Sequence, residues 1–123
     1  MVSLFKRKKG LSVEEFRHHY ENNHTKLFTE YLAHTGIERY VRRYPTPIPN
    51  PISGKVIPAE YDVIMEVWFT DRQLFEDFIS RKQLDQEHVK IVAEDEEKFL
   101  DRDSMSMNTV EEFDTKPLPY NPF

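Results

Sequence analysis

A helix with a clearly marked start is predicted by LSVEEFRHHYENNHTKL, residues 11–27 of the chain. Ser12 and Glu15 have the spacing of a capping box, in which each side chain bonds the backbone amide of the other residue. Leu11 and Phe16 occupy the positions of a hydrophobic staple, a contact that fixes how the chain enters the helix. The pattern therefore predicts a helix that begins at residue 13 and continues to about residue 33.

One histidine lies on the apolar side of this helix. At about 100° per residue, His24 falls within a stripe of apolar side chains, whereas His18 and His19 fall outside it. We therefore predict that His18 and His19 are solvated and that His24 points toward the structure on which the helix packs. The stripe consists of Val13, Phe16, Tyr20, Leu27 and Tyr31.

The composition describes one acidic domain without cysteine. A chain of 123 residues has the size of a single domain. Its net charge is −5, and a solvated turn explains its one basic cluster, residues 6–9, so nucleic acid is not expected as a partner. The absence of cysteine removes disulfides and thiolate chemistry. No apolar run approaches the ~20 residues of a membrane span, so we expect a soluble, cytoplasmic protein without a membrane partner.

The rest of the chain alternates strand and helix patterns around a proline-rich segment. Residues 45–60 contain five prolines, which exclude a helix or a central strand and favour a stiff loop or a lid. Thr70 and Gln73 repeat the capping-box spacing and open a short helix, and Gly36 is the left-handed residue expected after the first helix. The predicted strands are residues 2–6, 37–44, 61–69 and 105–113, and a proline-rich tail occupies residues 115–123.

The third predicted strand carries two carboxylates on one face. Strand alternation places Asp62 and Glu66 on the same face as Trp68, while the other face is apolar. We expect the apolar face to pack on helices and the face with the acids to form a pocket wall. A carboxylate in mid-strand, such as Glu66, must be paired, hydrogen-bonded or protonated when it is buried, whereas Asp62 has the simpler interpretation of a strand-end cap.

The last helix carries a second histidine on an otherwise apolar stripe. His88 shares helical spacing with Leu84, Ile91, Val92, Asp95 and Phe99. The sequence therefore contains two histidines, His24 and His88, that are predicted to lie on the packed faces of helices.

The order of elements predicts a ferredoxin-like α+β fold, with a four-stranded antiparallel sheet and helices on one face. The other face of the sheet would be open in a monomer. We therefore expect a homodimer in which two sheets close over each other as a dimeric α/β barrel. The apolar tail, residues 115–123, is expected to dock, for example on the partner subunit.

Three segments, residues 5–24, 61–69 and 93–101, resemble the EthD family of dimeric α/β-barrel proteins. The small fungal members encoded with aromatic polyketide pathways are the most similar, and they include decarboxylases of anthrone-type acids. The resemblance implies an EthD-like domain over residues 1–114, a homodimer with a pocket, and chemistry without a cofactor on phenolic or polyketide substrates. It also matches His24 to a family histidine. The first strand is shorter, and the proline loop and tail are longer, than the family pattern, so the substrate can differ.

The candidate site residues follow from these patterns. A carboxylate beside His24 would keep it titrating near neutrality, where a general acid or base is most useful. Each candidate also has a structural interpretation, as a hydrogen-bonded core histidine, a paired carboxylate or a core aromatic. The candidate catalytic residues are His24, His88, Asp62 and Glu66. The candidate substrate-binding residues are Tyr20, Phe28, Tyr40, Tyr61 and Trp68.

Nothing in the spacing of these residues requires a metal or cofactor. Two histidines and one carboxylate could bind a metal, but no metal is predicted, and phosphate loops and nucleophile elbows are absent. The leading hypothesis is therefore a cofactor-independent lyase, either a decarboxylase or a dehydratase, or an isomerase or cyclase, acting on an aromatic polyketide or phenol. The alternatives are a cofactor-free oxygenase of an anthrone-like phenol and a carrier of a hydrophobic phenol without catalysis.

Overall fold

The computed structural model describes residues 1–81 and 85–123. In these residues, strand and helix alternate as the sequence predicts, and short turns connect several elements. The strands are β1 (Val2–Phe5), β2 (Ile37–Arg43), β3 (Val63–Phe69) and β4 (Ser106–Asn108). The helices are α1 (Val13–His19), α2 (Thr25–Leu32), α3 (Arg72–Ile79) and α4 (Gln86–Phe99), with a π-helical turn at Tyr20–His24 and a 3₁₀ turn at Arg102–Ser104.

The four strands form one antiparallel sheet in the order β2-β3-β1-β4. This order, with β1 and β3 at the centre, confirms the predicted ferredoxin-like α+β fold. Each central strand pairs with the other, with Val2 opposite Glu66 and Phe5 opposite Val63. The sheet therefore brings the first residues of the chain into contact with the middle of β3.

Helices cover one face of the sheet. On β3, Val63, Met65 and Val67 are buried, whereas the alternate residue Trp68 is 40% exposed. The buried face packs against aromatic side chains of α1, the π-helical turn and α4, which confirms the predicted helix-packing face. The centre of this core consists of Phe5, Phe16, Tyr20, Val63, Met65, Val67, Phe99 and Leu100.

The first helix begins as predicted but is not regular along its length. Ser12 Oγ accepts a hydrogen bond from the Glu15 amide at 3.0 Å, and the Ser12 amide donates to Glu15 Oε1 at 3.2 Å, which confirms the capping box. After α1 the helix widens into a π turn, in which the Thr25 amide bonds to the carbonyl of Tyr20. It then continues as α2 to Leu32, close to the predicted end.

Gly36 has a φ of +78°, as predicted for the residue after the first helix. A side chain at this position would also run into Leu74 of α3. Gly36 therefore allows both the reversal of the chain and the close packing of α3 on the loop.

Three predicted boundaries are wrong. The third strand begins at Val63 and not at residue 61. The N-cap of α3 is Asp71, whose side chain accepts from the Leu74 amide at 2.9 Å, because an aspartate one residue after Thr70 is the better-placed acceptor. The fourth strand ends at Asn108 and not at residue 113, because Asn108 pairs with Val2, the first residue of β1. Leu84, predicted to lie on the stripe of the last helix, lies outside the described residues.

The proline loop and the tail carry little secondary structure. In residues 45–60, a turn around Asn50 is held by its side chain, which accepts from the amides of Ile52 and Ser53 at 2.8 and 3.2 Å. No residue after Asn108 belongs to a helix or strand in the described part of the chain, and the tail exposes large apolar side chains. These are Val110, Phe113, Leu118, Tyr120 and Phe123. None of the described helices is both long and apolar enough to cross a membrane.

Candidate active site

A cavity of about 1260 Å³ lies between the helices and the sheet. Its walls are mainly apolar and aromatic, and basic residues from the turn after β1 line part of it. Charged residues that follow β1, α3 and α4 line the rest, so the cavity combines an aromatic wall with a charged one. An aromatic wall is typical of sites that bind small organic molecules. The residues that matter below are Tyr20, His24, Phe28, Tyr40, Met65 and Glu96, all of which line the cavity.

His24 is the histidine of this cavity, and a buried carboxylate holds its ring. Its Nδ1 lies 2.9 Å from Oδ2 of Asp95 on α4. His24 is 4% exposed and Asp95 is 2% exposed. The Nε2 atom of His24 has no hydrogen-bond partner among the described residues. The imidazole is therefore anchored at one nitrogen, and the other nitrogen is available to a bound molecule.

Asp95 accepts hydrogen bonds from three side chains of the first helix. His19 Nε2 lies 3.0 Å from Oδ1, and Asn23 Nδ2 donates to the same oxygen at 3.1 Å. A carboxylate only accepts, so His24 carries its proton on Nδ1 and His19 carries one on Nε2. Neutral His24 thus presents the lone pair of Nε2, which is the form of a general base.

The π-helical turn explains how these side chains reach one carboxylate. In a regular α-helix, residues 19 and 24 would lie about 140° apart around the axis. The turn at Tyr20–His24 has the wider repeat of a π helix, in which residues five apart approach each other. This local irregularity therefore allows His19 and His24 to converge on Asp95.

Burial and Asp95 act on His24 in opposite directions. Burial lowers the pKa of His24 below 6.5, because the charged imidazolium loses its hydration. Asp95 opposes this effect through its hydrogen bond and its charge, and His19 adds to the lowering. His24 is therefore neutral at pH 7, and Asp95 stabilises the positive charge that forms when the ring takes a proton.

Aromatic rings fix the plane of His24. Phe28 stacks on it with a centroid distance of 5.8 Å, and Tyr20 meets it edge to face at 5.4 Å. Phe99 contacts it at 4.9 Å. Phe28 in turn contacts Tyr40 at 4.8 Å. The wall beside the imidazole is therefore a continuous set of packed aromatic rings, in which Phe28 also stacks on Tyr31 at 5.5 Å.

Two tyrosines provide the neutral polar groups of this wall. The hydroxyl of Tyr40 donates to the hydroxyl of Tyr20 at 3.2 Å. Burial raises the pKa of both phenols, so both keep their protons. Arg42 lies over the Tyr40 ring at 4.6 Å and binds Glu21 through two hydrogen bonds of 2.9 and 2.7 Å. These contacts tie β2 to the π-helical turn behind the tyrosine pair.

Four of the nine predicted site residues meet at the cavity, namely Tyr20, His24, Phe28 and Tyr40. His88 does not line it, and its side chain is 37% exposed. His88 Nδ1 contacts Asp85, the N-cap of its own helix, at 3.2 Å. The packed stripe of α4 therefore carries Asp95, and His88 lies at the helix start near solvent.

The predicted pocket wall on the Asp62 and Glu66 face is wrong for this cavity, which lies on the opposite face of the sheet. Asp62 accepts hydrogen bonds from the amide and guanidinium of Arg7 at 2.8 and 2.9 Å. These bonds join the chain just after β1 to the residue before β3. Glu66 pairs with Arg43 Nε and with Trp68 Nε1, both at 3.3 Å. Tyr61 has Lys6 over its ring at 6.0 Å. Neither Tyr61 nor Trp68 lines the cavity.

Sequence reasoning missed the partners of His24. Asp95 was visible as the one carboxylate on the apolar stripe of the last helix, and that pattern could have identified it. His19 was expected to be solvated, but its side chain is only 25% exposed and is bonded to Asp95. That prediction is wrong because a regular helix was assumed through the π turn. No group of three or more His, Asp or Glu side chains suited to a metal ion occurs within residues 1–81 and 85–123.

Comparisons with known proteins agree with this architecture. A model of the EthD domain matches residues 8–103. The chain is 31% identical to Dehydratase aurZ of Gibberella zeae, over 92% of this chain and 78% of that protein. A crystal structure of an ethyl tert-butyl ether D (EthD) family protein from Bacillus halodurans has a TM-score of 0.57 at 17% identity. That match covers 91% of this chain and 95% of the other.

Proposed function

The chain belongs to the EthD family, and we propose that it is a cofactor-independent lyase of the dehydratase type. Its substrate is an aromatic polyketide or phenolic intermediate of secondary metabolism. The observation that carries the proposal is the buried His24–Asp95 pair, 2.9 Å apart, at an aromatic-walled cavity. The relative named as a dehydratase supports dehydration over decarboxylation.

His24 can move the proton in both halves of a dehydration. As a base, Nε2 takes a proton from the carbon next to a substrate carbonyl, and the electrons of the C–H bond form an enolate. The enolate then expels the hydroxyl group one carbon further on, forming the carbon–carbon double bond. The hydroxyl leaves as water when it takes a proton, and Asp95 stabilises the imidazolium between the two steps.

The tyrosine pair is suited to the developing negative charge. Tyr20 and Tyr40 are neutral phenols, so a hydroxyl of the pair can donate to the carbonyl oxygen as it becomes an enolate. Phe28 and Tyr40 contribute aromatic surface to the cavity wall, against which a polycyclic substrate would pack. The site therefore supplies a base, a donor and a binding surface from this chain's own residues.

We further propose that the domain of residues 1–114 forms a homodimer through the open face of its sheet. Trp68 is 40% exposed on that face, and the tail adds further apolar surface. Sedimentation at micromolar concentration tests the assembly. A monomer at that concentration would refute it.

Product analysis tests the proposed reaction. The purified protein is incubated with polycyclic aromatic ketones that carry a hydroxyl two carbons from the carbonyl, with and without oxygen. Loss of water at a rate independent of oxygen, and abolished in His24→Gln, is the expected result.

The other outcomes would assign a different function. Loss of carbon dioxide from the corresponding acids would indicate a decarboxylase, and oxygen uptake would indicate an oxygenase. Tight binding of the ketone without turnover would indicate a carrier.

A further inference from the structure

Two carboxylates of α4 that the mechanism above does not use line the cavity, Glu96 and Glu97. Glu97 is 66% exposed and accepts a hydrogen bond from Arg102 at 3.1 Å, so Glu96 is the one considered below. Residues of this helix line the cavity at the i, i+3, i+4 spacing of a single helical face. Val89, Val92 and Ala93 are apolar members of that face, and Glu96 follows at the next position. Glu96 therefore replaces an apolar residue where the helix faces the cavity.

Neighbouring carboxylates on α4 point in different directions. Residues 95 and 96 lie about 100° apart around the helix axis. Asp95 points to the first helix, where it binds His24, and Glu96 lines the cavity. Among the described residues, no side chain forms a hydrogen bond with the Glu96 carboxyl. Two acids on one helix thus have separate surroundings, one bonded and one open to the cavity.

Burial and the neighbouring positive charges act on the pKa of Glu96 in opposite directions, with a net increase. Burial raises the pKa of Glu96 above its ordinary value of 4.5, and the charge of Asp95 acts in the same direction. Arg81, after α3, and Arg102, after α4, oppose this effect. The negative charge of ionised Glu96 raises the pKa of the phenols of Tyr31 on α2 and Tyr40 on β2. Glu96 lines the same cavity as the tyrosine pair, and Lys6, Arg7, Lys8 and Lys9 from the turn after β1 line it as well.

We propose that Glu96 is a second catalytic residue of this site, which gives its proton to the leaving hydroxyl while His24 takes the proton from carbon. This inference rests on the proposed dehydration. It applies to substrates whose leaving hydroxyl lies toward α4 when the ring system stacks beside His24. Two groups of different type would allow the proton to be removed and delivered at separate positions.

The proton balance is complete without another reactant. The C–H bond breaks to Nε2 of His24, the double bond forms, and the C–O bond breaks as the Glu96 carboxyl protonates the departing oxygen. Water leaves, and the site holds an imidazolium and a carboxylate. Transfer of one proton from His24 to Glu96 through solvent restores the starting state.

A matched set of variants tests this role. Glu96→Gln keeps the size and hydrogen bonding of the side chain but cannot release a proton. Glu94→Gln is the control, because Glu94 is exposed on the same helix, pairs only loosely with Lys90 at 3.9 Å and does not line the cavity. For each variant, kcat and KM are measured from pH 4 to 9 with the ketone substrates, and affinity for a hydroxyanthraquinone is measured by calorimetry.

We expect Glu96→Gln to lower kcat by about 10² to 10⁴, the usual contribution of one acid or base. KM and the affinity for the hydroxyanthraquinone should change by only a few fold. The wild-type profile should fall at the alkaline side as Glu96 ionises, and this limb should be missing in Glu96→Gln. If Glu96→Gln has a kcat within about threefold of wild type and its pH profile still falls on both the acid and the alkaline side, the proposal is overturned. Loss of activity in His24→Gln would still support the dehydratase function in that case.

A direct titration decides the case in which Glu96→Gln does not fold or the wild type turns over no ketone. Carbon-13 NMR of glutamate carboxyls follows Glu96 in the wild-type protein, with the hydroxyanthraquinone absent and present. A pKa above the ordinary 4.5 that shifts on binding supports the role. An ordinary pKa that the ligand does not change would overturn it. Absence of turnover in the wild type would refute the proposed function separately.

Discussion

Asp95, on the helix side of the sheet, and Glu66, on its open side, are both carboxylates that interrupt apolar patterns in the sequence. Asp95 is 2% exposed and accepts from two histidines and an asparagine. Glu66 meets Arg43, whose side chain is 56% exposed, and a tryptophan edge. The first environment holds a buried histidine beside the cavity, and the second joins neighbouring strands. The titratable partners of Asp95 therefore distinguish it from Glu66, although both acids interrupt an apolar pattern.

The largest effect is expected from Asp95→Asn, which removes the charge that stabilises imidazolium at His24. Turnover should fall by about 10² to 10⁴. The free energy of unfolding should fall by about 1–3 kcal/mol, because asparagine keeps one oxygen but replaces the other with an NH2 group, so a buried donor loses its acceptor. Steady-state kinetics and urea unfolding measure the two effects. Wild-type activity in this variant would show that the pair is structural.

His24→Gln should abolish most turnover while leaving the fold intact. Glutamine can hydrogen-bond to Asp95 but cannot carry a proton, so kcat should fall by about 10² to 10⁴. His88→Gln is the control and should retain wild-type kinetics, because His88 is partly exposed and bonded to its own helix cap. Equal losses in the two variants would contradict the assignment of His24 as the proton carrier.

The pH dependence distinguishes a buried histidine from an exposed one. Because burial holds the folded pKa of His24 below 6.5, the unfolded chain binds more protons in the window below pH 6.5. The free energy of unfolding should therefore decrease as pH falls through that window, and turnover should decrease with it as the base is protonated. In His24→Gln this part of the pH dependence of stability should be lost. Unfolding experiments between pH 5 and 7.5 measure it, and an unchanged slope would contradict the buried base.

Glu66→Gln should have the smallest effect on the isolated chain. Ion pairs with a solvent-exposed partner contribute about 0–1 kcal/mol, so unfolding in dilute solution should change by no more than that. If the open face closes in a homodimer, the same change should also weaken dimerisation. Sedimentation of the variant against wild type separates these contributions. A large loss of stability at concentrations where both proteins are monomers would remove the contrast with Asp95.

Much of the fold follows from local signals in the sequence. The capping box at Ser12, the reversal at Gly36 and the alternation of β3 depend on neighbouring residues, and the structure has all three. His24 was identified by helical periodicity in the same way. Its partner was not, because Asp95 lies 71 residues away and the contact depends on how α4 packs on the first helix. Which face of the sheet holds the cavity also depends on how the helices pack. The sequence therefore did not show that Asp62 and Glu66 lie on the face away from the cavity.

The π-helical turn shows how the first helix accommodates one extra residue without separating its histidines. A π turn contains one residue more than the α turn it replaces, and exposed Asn22 lies within it. Deleting Asn22 would leave His19 and His24 four positions apart, which in a regular helix is about 40° around the axis. Both rings would then still lie on one face of the helix. A relative with one residue fewer in this turn would therefore keep two histidines that converge on one carboxylate.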